Sequence, residues 1–173
     1  MEILIEFGKL LIPALLVLYA MYLTVKSVLE KEIERKEVDF KIKNYETILP
    51  LRLQAYERIA LLLERISPNN IMLRLSSPGL SAKEFQIILV KEIREEFNHN
   101  LSQQIYIDEN TWVLVRKAVE DTINLINQSA MNLKKEAKGM DLTKTVFAEI
   151  MQNEVDSIKH ALSQLKKEVS QFY

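Results

Sequence analysis

The sequence predicts an all-α protein, in which an N-terminal transmembrane helix continues into a charged stalk and then into a helical bundle ending in a long antiparallel helical hairpin. Turn-forming residues are scarce, since the 173 residues include three glycines and four prolines. The first 25 residues contain a long apolar run. Along most of the remaining chain, apolar residues recur at steps of three and four, which is the helical period.

The length allows one compact domain after the anchor is set aside. We expect an anchor over 1–26, a stalk over 27–46 and a bundle over 47–173. With a net charge of −1 the chain has no excess of basic residues for binding nucleic acid, so nucleic acid is not an expected partner. The chain has no cysteine, which excludes disulfides, thiolate metal sites and thiol catalysis.

The anchor prediction depends on residues 10–25, LLIPALLVLYAMYLTV, which carry no charge. The apolar start extends this run to residues 3–25, interrupted only by Glu6 and Lys9, and about 20 residues span a bilayer core. A cleaved signal peptide is the alternative, but it would begin with basic residues and end at a small-residue cleavage site. The sequence has neither feature, so we expect an uncleaved anchor that contacts the lipid bilayer through residues 3–25.

Basic residues flank the two ends of the apolar run unequally, and flanking lysine and arginine set the orientation of a span. The N-terminal side has Lys9 alone. This asymmetry predicts an N-terminus outside the membrane and the rest of the chain in the cytoplasm. The basic residues on the C-terminal side are Lys26, Lys31, Arg35, Lys36, Lys41 and Lys43.

The stalk, residues 27–46, is dense in charges of both signs and lacks glycine and proline. Glutamate precedes lysine by four residues at Glu32 and Lys36, an order that supports a helix. Because the acidic residues nearly cancel the basic ones, a solvated stalk is favoured over a patch that binds anionic lipid. Thr47 is a candidate cap for the next helix, with Pro50 in its first turn.

Capping residues predict where the later helices begin and end. Ser81 and Glu84 match a capping box. Residues 103–108 alternate in polarity and are interpreted as an extended connector, since one short strand would have no partner. Asp108 caps a helix for which Gly139 is the expected C-terminal stop.

The last helix is expected to begin at Asp141 and run to the C-terminus, forming an antiparallel hairpin with the helix before it. Its heptad-like seam packs against that helix or against another protomer, and the spacing does not decide between them. The seam residues are Phe147, Met151, Val155, Ile158, Leu162, Leu165, Val169 and Phe172.

No phosphate-binding loop, dinucleotide motif or nucleophile elbow occurs, so we expect neither an enzyme nor a cofactor. The pair Glu96 and His99 has the spacing that di-iron bundles use for metal ligands, but those sites need the pair twice. His160 has Ser157, not glutamate, three residues before it, so no metal site is expected. Trp112 is interpreted as a core residue.

Two stretches, ILPLRLQAYERIALLLERISPNN at 48–70 and REEFNHNLSQQIYIDENTW at 94–112, carry a resemblance. They resemble an uncharacterised family of small bacterial proteins with one N-terminal transmembrane helix and a helical cytoplasmic region. The resemblance implies a bacterial inner-membrane location and names no catalytic residue. Polar residues in these stretches are candidates for an interaction surface, or equally for a polar network between helices. They are Arg52, Tyr56, Glu57, Arg58, His99, Asn100, Gln103 and Gln104.

The expected function is therefore that of a non-enzymatic, membrane-anchored scaffold or accessory subunit of a bacterial inner-membrane complex, acting through helix–helix contacts. Its partner would be another protein or a second copy of the chain, with no small-molecule substrate. Two alternatives remain: a metal-binding or enzymatic bundle built on Glu96 and His99, and a cytoplasmic signalling adaptor.

Overall fold

A computed structural model of the chain describes residues 1–76, 79–152 and 156–172, without the side chains of 2–8 and 10. The described residues form helices and no strands, which confirms the all-α class. Two short 3₁₀ helices cover Leu101–Tyr106 and Ser170–Phe172. The α-helices are α1 (Glu2–Ile66), α2 (Pro68–Leu75), α3 (Ala82–Asn100), α4 (Glu109–Met131), α5 (Gly139–Gln152) and α6 (Ser157–Val169).

The chain divides into two units, residues 1–49 and 50–173. The first unit consists of the N-terminal part of α1, and its described side chains are nearly all exposed. Within the described residues, α1 contains one stretch that is long and apolar enough to cross a membrane. None of that stretch is buried inside the protein. Its apolar side chains include Val17 and Leu18, which are 68% and 62% exposed.

The predicted helix start at Thr47 is wrong, because α1 continues through this position. The Thr47 hydroxyl donates a hydrogen bond of 2.9 Å to the Lys43 carbonyl, one turn earlier. A threonine in a helix interior commonly makes this bond, whereas a capping threonine would accept one from the backbone ahead of it. Pro50 also lies inside α1, where it removes a single backbone donor.

The second unit has one hydrophobic core, to which α1 contributes side chains after Pro50, and α2–α6 together with Ile107 contribute the other buried ones. Trp112 is 3% exposed and stacks on Phe97 with ring centroids 5.7 Å apart, so its assignment to the core is confirmed. The largest fully buried side chains are Phe85, Ile59, Leu62, Leu63, Ile66, Ile71, Met72, Leu89, Ile93, Ile126, Leu142 and Val115.

Two predicted caps are confirmed. The Ser81 hydroxyl accepts a hydrogen bond from the Glu84 backbone N–H at 3.2 Å, and the Glu84 carboxylate accepts one from the Ser81 N–H at 3.0 Å. At the start of α4, the Asp108 carboxylate accepts from the Asn110 N–H at 2.9 Å. Each bond satisfies a backbone donor that a helix start leaves without a partner.

Replacing Ser81 with alanine should lower the free energy of unfolding by about 1 kcal/mol, because the capping box is lost. Urea unfolding of the full-length protein would measure the change. Ser163→Ala is the matched control, since Ser163 is exposed in the middle of α6 and should change stability by less than about 0.5 kcal/mol. Equal effects of the two substitutions would contradict the prediction.

The extended connector predicted at residues 103–108 is wrong, because this part of the chain continues from α3 into the 3₁₀ helix Leu101–Tyr106. At its end the Ile107 N–H donates to the Gln104 carbonyl at 3.4 Å, the three-residue spacing of a 3₁₀ turn. The apolar Ile105 is 74% exposed. The alternating polarity therefore does not correspond to a buried strand face.

The predicted helix stop at Gly139 is also wrong, because α4 ends at Met131 and Gly139 is the first residue of α5. The Gly139 N–H donates to the Leu80 carbonyl at 2.9 Å, and the Ala82 N–H donates to the Ala137 carbonyl at 2.8 Å. A Cβ atom on Gly139 would lie 3.3 Å from the Phe85 ring. The glycine thus permits the close approach of two segments, a role that no local pattern reveals.

The single last helix predicted from Asp141 is divided into α5 and α6, and α4 packs against both. Asp156 caps α6 by accepting from the Lys159 N–H at 3.1 Å. Met151 of the predicted seam is 88% exposed, and Val155 lies outside the described residues. The buried positions of α6 are Ile158, Ala161, Leu165 and Glu168, at steps of three and four.

Candidate interaction site

The eight polar candidates do not form one surface. Tyr56 and Asn100 are buried, at 3% and 6% exposed, and Arg52 is partly buried. The Asn100 side chain donates to the Glu96 carbonyl at 2.9 Å, within its own helix. Gln103 is partly exposed, and the four fully exposed candidates are Glu57, Arg58, His99 and Gln104.

Tyr56 belongs to a polar network in which the Glu168 carboxylate is the acceptor. The Tyr56 hydroxyl donates to Glu168 Oε1, and the Asp108 N–H donates to the same oxygen at 2.9 Å. Arg52 Nη2 lies 3.9 Å from that oxygen. Because Asp108 is the N-terminal cap of α4, the carboxylate also lies at the positive end of the α4 dipole. Donors from α1 and α4 therefore converge on one carboxylate of α6.

Arg52 is held in place by three further contacts. Its Nε donates to the Tyr106 carbonyl at 3.2 Å, and its Nη2 donates to the Tyr56 hydroxyl at 3.2 Å. The guanidinium carbon lies 4.6 Å from the centroid of the Phe172 ring, within cation–π range. The Tyr56 and Phe172 ring centroids are 6.0 Å apart. The C-terminal residues of the described chain are thus attached to α1 by polar and aromatic contacts together. We call Arg52, Tyr56, Asp108, Glu168 and Phe172 the clasp.

The Glu168 carboxylate of the clasp is only partly satisfied by hydrogen bonds. Glu168 is 7% exposed, and its Oε2 atom has no hydrogen-bond partner among the described residues. An unsatisfied buried carboxylate oxygen costs free energy, and an apolar side chain of similar volume is often at least as stable. One buried carboxylate in the clasp therefore has one satisfied and one unsatisfied oxygen.

Glu168 is not among the site residues predicted from the sequence. A signal was present: the spacing Ile158, Ala161, Leu165, Glu168 continues an apolar series with an acid. An acid at an apolar position of an amphipathic helix predicts a buried polar contact. The donors lie 60 and 112 residues away along the chain, so the sequence did not identify them.

Burial and the hydrogen bond to Glu168 raise the pKa of Tyr56 from 10.0 to about 12. The folded state therefore binds the phenol proton more tightly than the unfolded state does. The stability that this proton contributes is complete below pH 10 and is lost as the pH rises through about 12. We expect a loss of about 2–3 kcal/mol over that interval.

The test compares the pH dependence of the unfolding free energy in the wild type and in Tyr56→Phe, since lysine titration is common to both proteins. The wild type should lose more stability than the variant between pH 10 and 12. Parallel curves would show that Tyr56 ionises at the same pH in the folded and unfolded chains.

Glu96 and His99, the alternative candidates for metal ligands, have different surroundings. Glu96 is engaged by Arg65, with Nη2 to Oε2 at 3.1 Å, and His99 is exposed. Within residues 1–76, 79–152 and 156–172, no group of three histidine or acidic side chains is placed to hold a metal ion. A shallow open groove beside the Trp112 stack is lined by Phe97, Val113, Arg116, Lys117, Val119 and Glu120.

Comparisons with known proteins give one match. The model of a family of unknown function (DUF7935) matches residues 2–172, which is nearly the whole chain. No curated protein and no solved structure matches the chain.

Proposed function

The chain belongs to the family of unknown function DUF7935, and from its own geometry we propose that it is a non-enzymatic, membrane-anchored scaffold or accessory subunit. The anchor is the apolar part of α1, and the bacterial inner membrane is its proposed location. The soluble unit, residues 50–173, lies in the cytoplasm and acts through helix–helix contacts with another protein or with a second copy.

The observation that carries this proposal is the exposure of the apolar stretch of α1. A helix of comparable composition in a soluble core would be covered by the rest of the protein, whereas here none of the stretch is buried. Side chains such as Leu16 and Tyr19 are 63% and 62% exposed. A contiguous apolar surface of this extent calls for a lipid or protein environment.

The second support is the composition of residues 27–49. Both signs of charge alternate along this part of α1, and its described side chains are exposed or, at Leu49, partly exposed. Lys26 and Glu30 pair across one turn at 3.9 Å. Such a solvated helix suits a spacer between a span and a folded unit.

The orientation is tested by adding protease to the outside of spheroplasts that express the C-terminally tagged protein. Because basic residues follow the span and only Lys9 precedes it, we expect residues 50–173 to resist digestion until the membrane is permeabilised. Digestion in intact spheroplasts would overturn the proposed orientation.

The scaffold role is tested by purifying the natively expressed protein in a gentle detergent and measuring the mass of the intact assembly. A stoichiometric protein companion, or a defined oligomer of the chain, supports the role. A monomer that carries equimolar metal or a small molecule would contradict it and favour an enzymatic or metal-binding bundle.

A further inference from the structure

We propose that residues 28–49 of α1 pair in parallel with the same residues of a second copy, as a two-stranded coiled coil. This inference rests on the proposed function and names the partner of this part of α1. Its starting observation is a row of apolar side chains on one face of the helix. Val38, Ile42 and Tyr45 are 50%, 50% and 53% exposed, and Leu49 is partly exposed. We call these four residues the stalk seam.

The stalk seam has the spacing of a coiled coil. Its residues follow one another at steps of four, three and four, so they occupy positions d, a, d and a of two heptads. The same frame places Val28, which is 57% exposed, at position a two heptads before Ile42. Single exposed apolar residues are common on protein surfaces, whereas a continuous row of them marks a contact surface.

The charges beside the stalk seam match those of an identical, parallel helix. In a parallel pair, position g of one helix faces position e of the other, five residues further along. Lys41 is at g and Glu46 is at the following e, so opposite charges meet on both sides of the pair. Residues five apart in one helix are not neighbours, so this match has no partner within a single chain. Among the described residues Lys41 makes no ion pair.

Two basic residues stand in the same frame before the stalk seam. Lys31 is at position d and Arg35 at position a. In a parallel pair Lys31 packs beside Glu32 of the second copy at position e, and Arg35 packs beside Glu34 of the second copy at position g. Glu34 also faces Asp39 of the second copy, an unfavourable pair that the neighbouring Arg35 offsets. The acids that this basic stretch needs are therefore supplied by an identical helix.

Anchoring in one membrane favours this arrangement over pairing with a soluble protein. Every copy inserts in the same direction, so α1 helices that meet side by side are parallel and bring identical residues to the same level. Two heptads of apolar seam are short for a helix pair in free solution. The shared anchor offsets this, because it raises the effective concentration of one stalk seam around another.

Single cysteines report the pairing directly, because the chain has no cysteine of its own. A disulfide needs Cα atoms about 5.5–6 Å apart. Position a, where Ile42 lies, meets this requirement when two helix axes are about 8–10 Å apart. Phe40 is the matched control, since it is apolar and 65% exposed but lies at position f. Two copies of position f are on opposite sides of the pair, with Cα atoms more than about 12 Å apart.

The measurement is the rate at which a disulfide-linked dimer forms when copper phenanthroline, an oxidant, is added to membranes of cells that express the full-length variant. We expect Ile42→Cys to form the dimer about tenfold faster than Phe40→Cys, because only position a satisfies the disulfide geometry. Equal rates would indicate random collision and would overturn the pairing, as would a faster rate for Phe40→Cys.

Alkaline carbonate extraction of the same membranes separates the two proposals. Neither cysteine alters residues 3–25, so the anchor is unchanged in both variants. Equal rates in a protein that stays in the pellet would overturn the pairing and leave the anchored scaffold standing. Release of the protein by carbonate would overturn the anchor and the pairing together.

A charge exchange in the Ile42→Cys background tests the match between Lys41 and Glu46. Lys41→Glu and Glu46→Lys each place like charges opposite one another, so each should slow dimer formation about threefold. The Lys41→Glu/Glu46→Lys double variant restores opposite charges across the pair, and its rate should recover. A double variant as slow as the single variants, or single variants as fast as the parent, would overturn the parallel pairing in this register.

Discussion

Aspartate at both Val17 and Leu18 should move the protein from the membrane fraction to the soluble or aggregated fraction. Each aspartate near the centre of a span costs about 2.5–3.5 kcal/mol on insertion, so the pair reduces insertion by roughly three to five orders of magnitude. Both side chains are more than 60% exposed in their unit. No packing within this unit is lost, so the effect reports the surroundings of the apolar stretch.

The measurement is alkaline carbonate extraction of membranes followed by detection of the C-terminal tag. Val38→Asp with Ile42→Asp is the matched control, because these apolar side chains are each 50% exposed in the predicted stalk. The control protein should stay in the membrane pellet. Retention of the Val17 and Leu18 double variant in the carbonate-resistant pellet would exclude this stretch as the anchor.

Glu168→Ala should lower the free energy of unfolding by about 2–4 kcal/mol. The substitution leaves the Tyr56 hydroxyl and the Asp108 N–H without their acceptor, and it removes the counter-charge of Arg52. Glu168→Gln should cost less, about 1 kcal/mol, because an amide oxygen can still accept both hydrogen bonds. A larger loss of unfolding free energy in Glu168→Ala than in Glu168→Gln would therefore show how much Glu168 contributes as a hydrogen-bond acceptor, separately from its charge.

Urea unfolding followed by Trp112 fluorescence measures both variants, since Trp112 is the single tryptophan of the chain and lies in the core. Glu120→Ala, an exposed acid on α4, is the control and should change stability by less than about 0.5 kcal/mol. A double-mutant cycle with Tyr56→Phe should give a coupling of about 1–3 kcal/mol. If Glu168→Ala costs no more than the control, the clasp contributes nothing to holding α6.

Features that depend on neighbouring residues could be predicted from the sequence. The helical class followed from spacing, and the Ser81 and Asp108 caps followed from side chains that bond two or three residues away. The apolar stretch of α1 was also predictable, because length and composition alone determine whether a helix can cross a membrane.

Features created by distant contacts were missed. Gly139 matches the local pattern of a helix stop, whereas in the structure a Cβ atom at this position would come within 3.3 Å of the Phe85 ring. Of the polar candidates, Arg52 and Tyr56 do belong to a network between helices, but their acceptor Glu168 was not among the candidates. A local sequence pattern can identify at most one partner of such a contact, because the other partner is brought near only when the chain folds.

The backbone pairing of Leu80 and Ala82 with Gly139 and Ala137 brings the starts of α3 and α5 to one place. Two positive dipole ends therefore lie together, and one carboxylate in each first turn, Glu84 and Asp141, offsets them. Hydrogen bonds from Ser81 lower the pKa of Glu84. The stability that the ionised Glu84 side chain contributes is therefore complete above the pKa of the unfolded chain and is lost as the pH falls through the lowered pKa. Acid should thus loosen this junction of two helix starts.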